Sequence, residues 1–131
     1  MKYFTIKELC HSSTAIQKRI DNTPNSEIVN NLKQLVEYIL DPLRERYGKP
    51  IIVNSGYRCP ALNKAVNGSK TSQHVKGLAA DITAGSPTKN KILFDLIIEM
   101  DLPYDQVIDE KNFSWVHVSF SEKPRKQILH L

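Results

Sequence analysis

Two histidines and one aspartate have the residue types and the spacing of a metal-ligand set. His74 and Asp81 lie seven positions apart in the segment SQHVKGLAAD, and His117 lies in the later segment WVHVS. Two imidazoles and one carboxylate from separate segments are the three protein ligands of a catalytic zinc site, in which water takes the fourth position. The small residues between the first two, including Gly77, would let the backbone approach closely enough for both side chains to reach one ion. A lone histidine is more often a hydrogen-bonded structural residue, so the prediction depends on the three together.

Other catalytic chemistries lack their sequence signatures. The chain contains no Gly-x-Ser-x-Gly turn for a serine nucleophile, no phosphate-binding P-loop and no HExxH pair on a single helix. The pattern therefore favours a catalytic metal site over these other chemistries.

Length and composition predict one domain comprising residues 1–131. The chain has 131 residues, of which 40% are hydrophobic and 24% charged, enough to build one core and keep it soluble. No apolar run approaches the roughly 18–20 residues of a membrane span, and the first residues lack the apolar stretch of a secretory signal. We therefore expect no membrane span, and synthesis in the cytoplasm without a cleaved leader. Cys10 and Cys59 have neither metal-binding nor disulfide-framework spacing and are predicted to be free thiols.

The formal charge of +4 arises from 18 basic and 14 acidic side chains that are scattered along the chain. Small basic clusters occur in the segments RER and KPRK, without the interleaved aromatic residues of single-strand nucleic-acid platforms. We interpret them as a solvated basic surface, so we expect no nucleic-acid partner, and we expect a monomer. A nucleic-acid-binding protein, the alternative, would concentrate its basic residues on one face.

The first half of the chain is dominated by one long helical pattern over residues 23–48. Its apolar residues recur at spacings of three and four, Asn25 or Ser26 can cap its beginning, and Gly48 can end it. Pro42 lies inside the pattern and predicts a kink or a restart, because proline lacks a backbone donor. A short helix and a loop are predicted before it, in the segment FTIKELCHSSTAIQKRIDN. The apolar stripe comprises Ile28, Leu32, Leu35, Val36, Ile39, Leu40 and Leu43.

The second half mixes predicted strands with helices. The segment PIIVNSGYR is typical of a short buried strand, CPALNKAV of a short helix, and SPTKNKILFDLIIEM of a long helix capped by Ser86. The segments GLAADIT, YDQVID and SWVHVSF predict further strands, the last two joined by a tight loop at EKNF. This order predicts an α+β fold, a single domain with a small antiparallel sheet, helices packed on one side and the zinc site on the sheet. The stripe of the second long helix comprises Ile92, Leu93, Leu96, Ile97 and Met100.

Side chains alternate along a strand, so the last predicted strand separates two sets of residues. Its apolar face carries Val116, Val118 and Phe120. Its other face carries Trp115, His117 and Ser119. The imidazole is therefore expected to point away from the core.

Three segments together resemble a family of zinc peptidases that includes bacterial D-alanyl-D-alanine carboxypeptidases, D-Ala-D-Ala dipeptidases, phage endolysins and the hedgehog signalling domain. The segment SQHVKGLAAD matches the family's S-x-H-x-x-G-x-A-x-D, WVHVS matches its W-x-H strand, and SGYRCPALN matches its S-G-Y-R-x-P segment. The similarity extends from FTIKELCHSSTA to WVHVSF. The resemblance implies one Zn²⁺ per chain with His74, Asp81 and His117 as ligands. It further implies hydrolysis of peptidoglycan stem peptides, at or near D-alanine.

The catalytic base is where the sequence departs from part of that family. Many members carry a carboxylate three residues before the second histidine, where this chain has Ser114. Other members place a glutamate at the end of the preceding strand, and Glu110 resembles that arrangement. The neighbouring Asp109 is expected to point to the opposite face, because adjacent strand residues alternate. If both acids are surface residues, the site binds metal without hydrolysing anything.

Four residues are candidates for contacting the substrate. Arg58, in the SGYR segment, is predicted to hold a substrate carboxylate or to stabilise the oxyanion through its planar donor fork. A structural salt bridge is the alternative role for this arginine. Ser72 and Gln73 can hydrogen-bond a peptide backbone, although loop polarity explains them almost as well. Trp115 either walls the cleft or covers the sheet.

The sequence supports two functional hypotheses that differ in class. The first is a zinc peptidase of the bacterial cell wall, either a phage or prophage lysin released to the wall or a cytosolic enzyme that recycles wall fragments. The second is a catalytically inactive, zinc-stabilised binding or structural protein on the same scaffold. The hedgehog domain, a member of the family that the chain resembles, shows that this scaffold can serve recognition. A basic surface would suit a wall polymer that is anionic in many bacteria.

Overall fold

Six α-helices and five β-strands form the computed structural model, which describes all 131 residues. The α+β class predicted from the sequence is confirmed. The helices are α1 (Ile6–Cys10), α2 (Ser13–Gln17), α3 (Ser26–Leu35), α4 (Asp41–Tyr47), α5 (Pro60–Ala65) and α6 (Pro87–Glu99). The strands are β1 (Ile52–Ser55), β2 (Ala79–Thr83), β3 (Tyr104–Glu110), β4 (Trp115–Phe120) and β5 (Gln127–His130). A π-helical turn (Val36–Leu40) joins α3 to α4, and a 3₁₀ turn (Gln73–Lys76) precedes β2.

The five strands form one sheet in the order β1-β2-β4-β3-β5. The first three neighbouring pairs are antiparallel, whereas β5 runs parallel to β3, so the sheet is mixed rather than purely antiparallel. After β4 the chain passes the start of β3 through residues 121–126 and enters β5 in the direction of β3. The segment QILH is short and mostly exposed, and it carries no alternating apolar pattern from which a strand could be predicted.

The helices found over residues 26–47 agree closely with the long helical pattern predicted from the sequence. The side chain of Asn25 caps α3 by accepting a hydrogen bond from the backbone N–H of Ile28 at 2.9 Å, and Gly48 ends α4 in the left-handed region at φ +76°. The predicted interruption at Pro42 takes the form of the π-helical turn, in which the Asp41 N–H bonds to the Val36 carbonyl. This wider turn accommodates a proline, which cannot donate and crowds the carbonyl of the preceding turn.

The core lies between the long helices and one face of the sheet. Val116, Val118 and Phe120 are buried there, as the alternation along β4 predicted. The stripe predicted for α6 is wrong at Ile92, which is exposed, while Phe94 is buried in the core. Phe94 packs edge-on against Phe113 of the β3–β4 turn, with ring centroids 5.4 Å apart.

Strand β1 differs from its prediction as a buried strand. It forms an edge of the sheet, where Ile52 is 58% exposed, and the buried apolar residue is Ile51 just before it. An edge strand pairs on one side only, so one face and one edge meet solvent. Cys10 and Cys59 are both free, as expected. None of the helices has the length and apolar character needed to cross a membrane.

Candidate active site

Three ionisable side chains from three different elements converge on the polar face of the sheet. His74 comes from the 3₁₀ turn, Asp81 from β2 and His117 from β4, and one ligand atom from each lies within 4.8 Å of the others. Asp81 and His117 are direct cross-strand partners in the antiparallel register of β2 and β4. That register puts both side chains on the same face, next to each other.

The Asp81 carboxylate lies between the two imidazoles. Its Oδ1 atom is 3.1 Å from Nδ1 of His117 and 3.3 Å from Nε2 of His74. Burial by itself would raise the pKa of Asp81, but hydrogen bonds to His117 and His74 outweigh it and lower that pKa. An ionised carboxylate with two imidazole nitrogens is a donor set that zinc prefers, so these residues fit the ion that the resemblance implies.

The backbone carbonyl of Gly56 orients the ring of His74. His74 is buried, and its Nδ1 atom lies 2.7 Å from that carbonyl oxygen. Nδ1 must therefore carry a proton and donate it, which turns Nε2 towards the Asp81 carboxylate. Such a second hydrogen bond is how proteins set the tautomer and the direction of a ligating histidine.

Small residues allow the turn that carries His74 to pack closely. The hydroxyl of Ser72 accepts the backbone N–H of His74 at 3.2 Å and caps the turn. Gly77 ends it at φ +72°, and a Cβ there would lie 3.0 Å from the side chain of Ile28 in α3. A larger residue would combine backbone strain with a clash, which explains why a glycine stands between His74 and Asp81.

Glu110 and Asp109, the two candidate bases, face opposite sides of the sheet. Glu110 pairs in register with Trp115, and both line a polar cleft of about 830 Å³ that also contains the three converging residues. Asp109 is buried on the other side, where its carboxylate contacts the imidazole of His130. Only Glu110 is therefore placed to contact a molecule in the cleft.

Arg58 reaches the same cleft from the turn after β1. Its backbone N–H donates to the His74 carbonyl at 3.1 Å, and its Nε atom is buried without a hydrogen-bond partner. Burial lowers the pKa of Arg58, while the nearby Asp81 and Glu110 act in the opposite direction. No acid of the chain lies within ion-pair distance, so the alternative of a structural salt bridge is not seen for Arg58.

The three predicted substrate-binding residues all line the cleft, but they differ in whether their polar groups already have hydrogen-bond partners in the protein. The Ser72 hydroxyl accepts the capping hydrogen bond described above, and the Gln73 amide donates to Asp105 at 2.9 Å. The indole N–H of Trp115 is buried and has no partner. Trp115 thus walls the cleft, and the ammonium of Lys111 lies 5.5 Å from its ring centroid.

Sequence reasoning missed several residues that position this site. The side chain of Asn22 bonds to the carbonyl of Tyr57 and the N–H of Cys59, the two neighbours of Arg58. Asn90 in α6 donates to the carbonyls of Phe113 and Ser114 and so holds the turn between Glu110 and Trp115. Asparagines in helices and loops carry no periodic signal, so no pattern in the sequence could have singled them out.

Asp105 and Arg125 form a further polar pair that the sequence did not reveal. The segment KPRK was interpreted as a solvated basic cluster, yet Arg125 lines the cleft and forms an ion pair with Asp105, which is buried. Lys123 and Lys126 of the same segment do not line the cleft.

Comparisons with known proteins agree with this geometry. The sequence profile described as Peptidase M15 matches residues 2–119, which is most of the chain. A zinc D-Ala-D-Ala carboxypeptidase from Streptomyces albus G is 46% identical over 48 residues. Those residues make up 36% of this chain and 19% of that enzyme, so the similarity covers about a fifth of the relative's length.

Proposed function

Because this chain belongs to the peptidase M15 family, we propose that it is a zinc-dependent peptidase that hydrolyses peptidoglycan stem peptides at or near D-alanine. The observation that carries the proposal is the convergence of His74, Asp81 and His117 beneath a cleft that also holds Glu110. The partial match to a zinc D-Ala-D-Ala carboxypeptidase supports the choice of metal and substrate.

The three converging residues are proposed to hold one zinc ion per chain. Bound there, zinc would supply a Lewis acid that polarises a carbonyl and lowers the pKa of water. The donation from His74 Nδ1 to Gly56 aims the second ring nitrogen, Nε2, at the site, where it would bind the ion. Asp81 contributes a negative charge that partly compensates a divalent cation.

Glu110 is proposed as the general base and acid. Its carboxylate accepts a proton from the attacking water and then delivers that proton to the leaving amine. The opposed orientation of Asp109 supports this choice, because only Glu110 lines the cleft. The absence of a carboxylate at Ser114 therefore leaves Glu110 as the cleft's candidate for this role.

Arg58 is proposed to stabilise the negative charge that develops on the scissile carbonyl oxygen. Its guanidinium donates hydrogen bonds that strengthen as that charge develops, which lowers the barrier. The Asn22 hydrogen bonds on either side of Arg58 hold its backbone in place and reduce the reorganisation needed. Ser72, Gln73 and Trp115 are proposed to contact the peptide along the cleft wall.

The decisive experiment measures peptide release by mass spectrometry. Purified peptidoglycan and a peptide ending in D-Ala-D-Ala are incubated with zinc-loaded protein, chelated protein and the Glu110→Ala variant. We expect release with the zinc-loaded protein alone, and the product masses identify the bond. Glu122→Ala, which removes an exposed carboxylate outside the cleft, is the matched control and keeps activity.

Two other outcomes would contradict the proposal in different ways. One equivalent of bound zinc without release from either substrate would favour the zinc-stabilised binding protein. Absence of bound zinc would remove the metal site itself.

A finer part of the proposal concerns the biological setting. We propose a monomeric wall lysin of the phage or prophage type, whose +4 charge favours association with anionic wall polymer. Light scattering checks the monomer, and sedimentation with purified cell walls at rising salt checks the electrostatic attraction, which must weaken as salt screens it. Salt-independent sedimentation would contradict this part alone.

A further inference from the structure

A buried acid holds an exposed arginine at the edge of the cleft. Asp105, near the start of β3, is only 3% exposed, and Arg125 lies in the loop between β4 and β5. The Arg125 Nε atom donates to Asp105 Oδ1 at 3.0 Å, its Nη2 atom donates to Oδ2 at 2.7 Å, and its backbone N–H donates to Oδ1 at 3.0 Å. The side edge of the guanidinium is therefore fixed in one orientation.

The same carboxylate connects Arg125 to the turn that carries His74. Oδ2 of Asp105 also accepts a hydrogen bond from the Gln73 side chain at 2.9 Å, and Gln73 directly precedes His74. Asp105 thus joins the loop after β4 to the proposed metal centre through one buried group. Arg125 is held in register with the site and is not a freely moving surface cation.

One edge of the guanidinium remains free to bind a ligand. A guanidinium has five N–H donors, and Asp105 uses Nε and one donor of Nη2. No acceptor of the chain bonds to Nη1, and the side chain is 55% exposed and lines the same cleft as Arg58 and Glu110. The open edge, formed by Nη1 and Nη2, matches the two oxygens of a carboxylate.

We propose that Arg125 is a specificity-determining residue whose free edge binds a carboxylate of the substrate peptide. This inference rests on the proposed peptidase function and narrows it to peptides that present a free carboxylate close to the bond cleaved. The two arginines of the cleft then have different roles. Arg58 binds the carbonyl oxygen of the scissile bond, and Arg125 binds a carboxylate that the substrate already carries.

The substrate peptide can present such a carboxylate at two different places. One is the C-terminal carboxylate of a peptide ending in D-Ala-D-Ala, and the other is the free α-carboxylate of a D-isoglutamyl residue within the stem peptide. A purely structural Arg125 would only tether the loop to Asp105 and would not distinguish an acid from its amide.

The test is a calorimetric titration of the zinc-loaded Glu110→Gln protein, in which turnover is blocked. The first pair of probes is diacetyl-L-lysyl-D-alanyl-D-alanine and its C-terminal amide. The second pair is a stem tetrapeptide containing D-isoglutamate and the same peptide containing D-isoglutamine. We expect one acid to bind about tenfold or more tightly than its own amide, because charge-assisted bidentate hydrogen bonds are lost in the amide. The pair that shows the preference identifies the source.

Variants then assign the preference to Arg125. Adding Arg125→Gln should abolish the difference between acid and amide by weakening the acid alone. Lys123→Gln removes the same charge from the same loop at an exposed position outside the cleft and should keep the difference. Loss of acid and amide binding by the same factor in Arg125→Gln would overturn the inference in favour of a structural tether.

The comparison of acid with amide in the Glu110→Gln protein does not depend on the folding of an Arg125 variant. Equal binding of acid and amide in both pairs, or no measurable binding of either acid, overturns the inference. A clear preference for an acid, combined with no peptide release by the zinc-loaded wild-type protein, would contradict the proposed function and leave the carboxylate site standing. Hydrolysis with equal KM for acid and amide would overturn the carboxylate site and leave the proposed function standing.

Discussion

The Nδ1 atom of His74 lies 2.7 Å from the carbonyl oxygen of Gly56, so the backbone of the turn after β1 sets the direction of the imidazole. A side chain cannot be added at Gly56 without moving that carbonyl, because a Cβ there would lie 2.2 Å from the backbone oxygen of Leu9. The glycine thereby connects the packing of α1 to the geometry of the proposed metal centre.

Replacing Gly56 with alanine should weaken zinc binding. The displaced carbonyl no longer fixes His74, and loss of such a supporting hydrogen bond typically lowers metal affinity about 10- to 100-fold. Competition with a chromophoric chelator measures the affinity. Gly48→Ala is the control, because it strains a left-handed residue at the end of α4 and meets nothing within 4 Å. Wild-type zinc affinity in Gly56→Ala would refute the positioning role of the carbonyl.

His74→Ala should abolish stoichiometric zinc binding. In the wild-type protein, zinc at about 100 times its dissociation constant should raise the free energy of unfolding by about 2.7 kcal/mol. Zinc should raise the free energy of unfolding of the alanine variant only a little, because only two of the three ligands remain. Thermal unfolding with and without zinc measures the gain. His11→Ala, which removes an exposed histidine outside the cleft, should respond like wild type, and an equal response in His74→Ala would exclude it as a ligand.

Glu110→Gln and Asp109→Asn should have opposite effects. Loss of a general base lowers kcat by about 10²- to 10⁴-fold, so Glu110→Gln should retain zinc and lose turnover. Asp109→Asn disturbs the contact with His130 on the far side of the sheet, and so should lower stability with little change in kcat. Steady-state kinetics and urea unfolding separate the two effects. The reverse pattern would assign the base to Asp109.

The stability contributed by Asp105 should depend on pH. Hydrogen bonds from Arg125 lower the pKa of Asp105 despite its burial, with a smaller contribution from Gln73. A carboxyl group with a lowered folded-state pKa stabilises the protein fully above its unfolded pKa, and that stability is lost as pH falls through the folded pKa. The difference in unfolding free energy between wild type and Asp105→Asn should therefore shrink below about pH 4.

Urea unfolding from pH 7 down to pH 2.5 checks this expectation. Asp95→Asn, which removes the acid of an exposed pair with Lys91 in α6, serves as the control and should show a small effect. A difference for Asp105→Asn that stays constant with pH would show that its contribution is not electrostatic.

Asn90→Ala should destabilise the protein by about 2–4 kcal/mol, because it leaves several buried backbone groups without partners. Asn90 is 1% exposed, accepts the backbone N–H of Ala84 and donates to the carbonyls of Phe113 and Ser114. Urea unfolding measures the loss. Asn30→Ala, an exposed substitution in α3, should change stability little. A loss no larger than that of the control would show that the turn is held by other contacts.

Local patterns were sufficient for most of the elements. The caps at Asn25 and Ser86 and the two faces of β4 depend on residues a few positions apart, so the sequence predicts them directly. The assignment of Ile92 to the core failed because the rotation of α6 is set by its packing on Phe113 and the sheet, which spacing alone does not contain. The same limit applies to β5, which joins the sheet through backbone pairing with β3.

The sequence by itself determined the chemistry that this chain can offer, namely two imidazoles, a carboxylate and a nearby acid in segments that fold locally. Only the tertiary structure decided which groups support that chemistry. Gly56 and His74 are 18 residues apart, Arg125 and Asp105 are 20 apart, and Gln73 and Asp105 are 32 apart. Each of these contacts depends on strand register and on where loops cross, which are fixed by the packing of the whole domain and not by any local pattern.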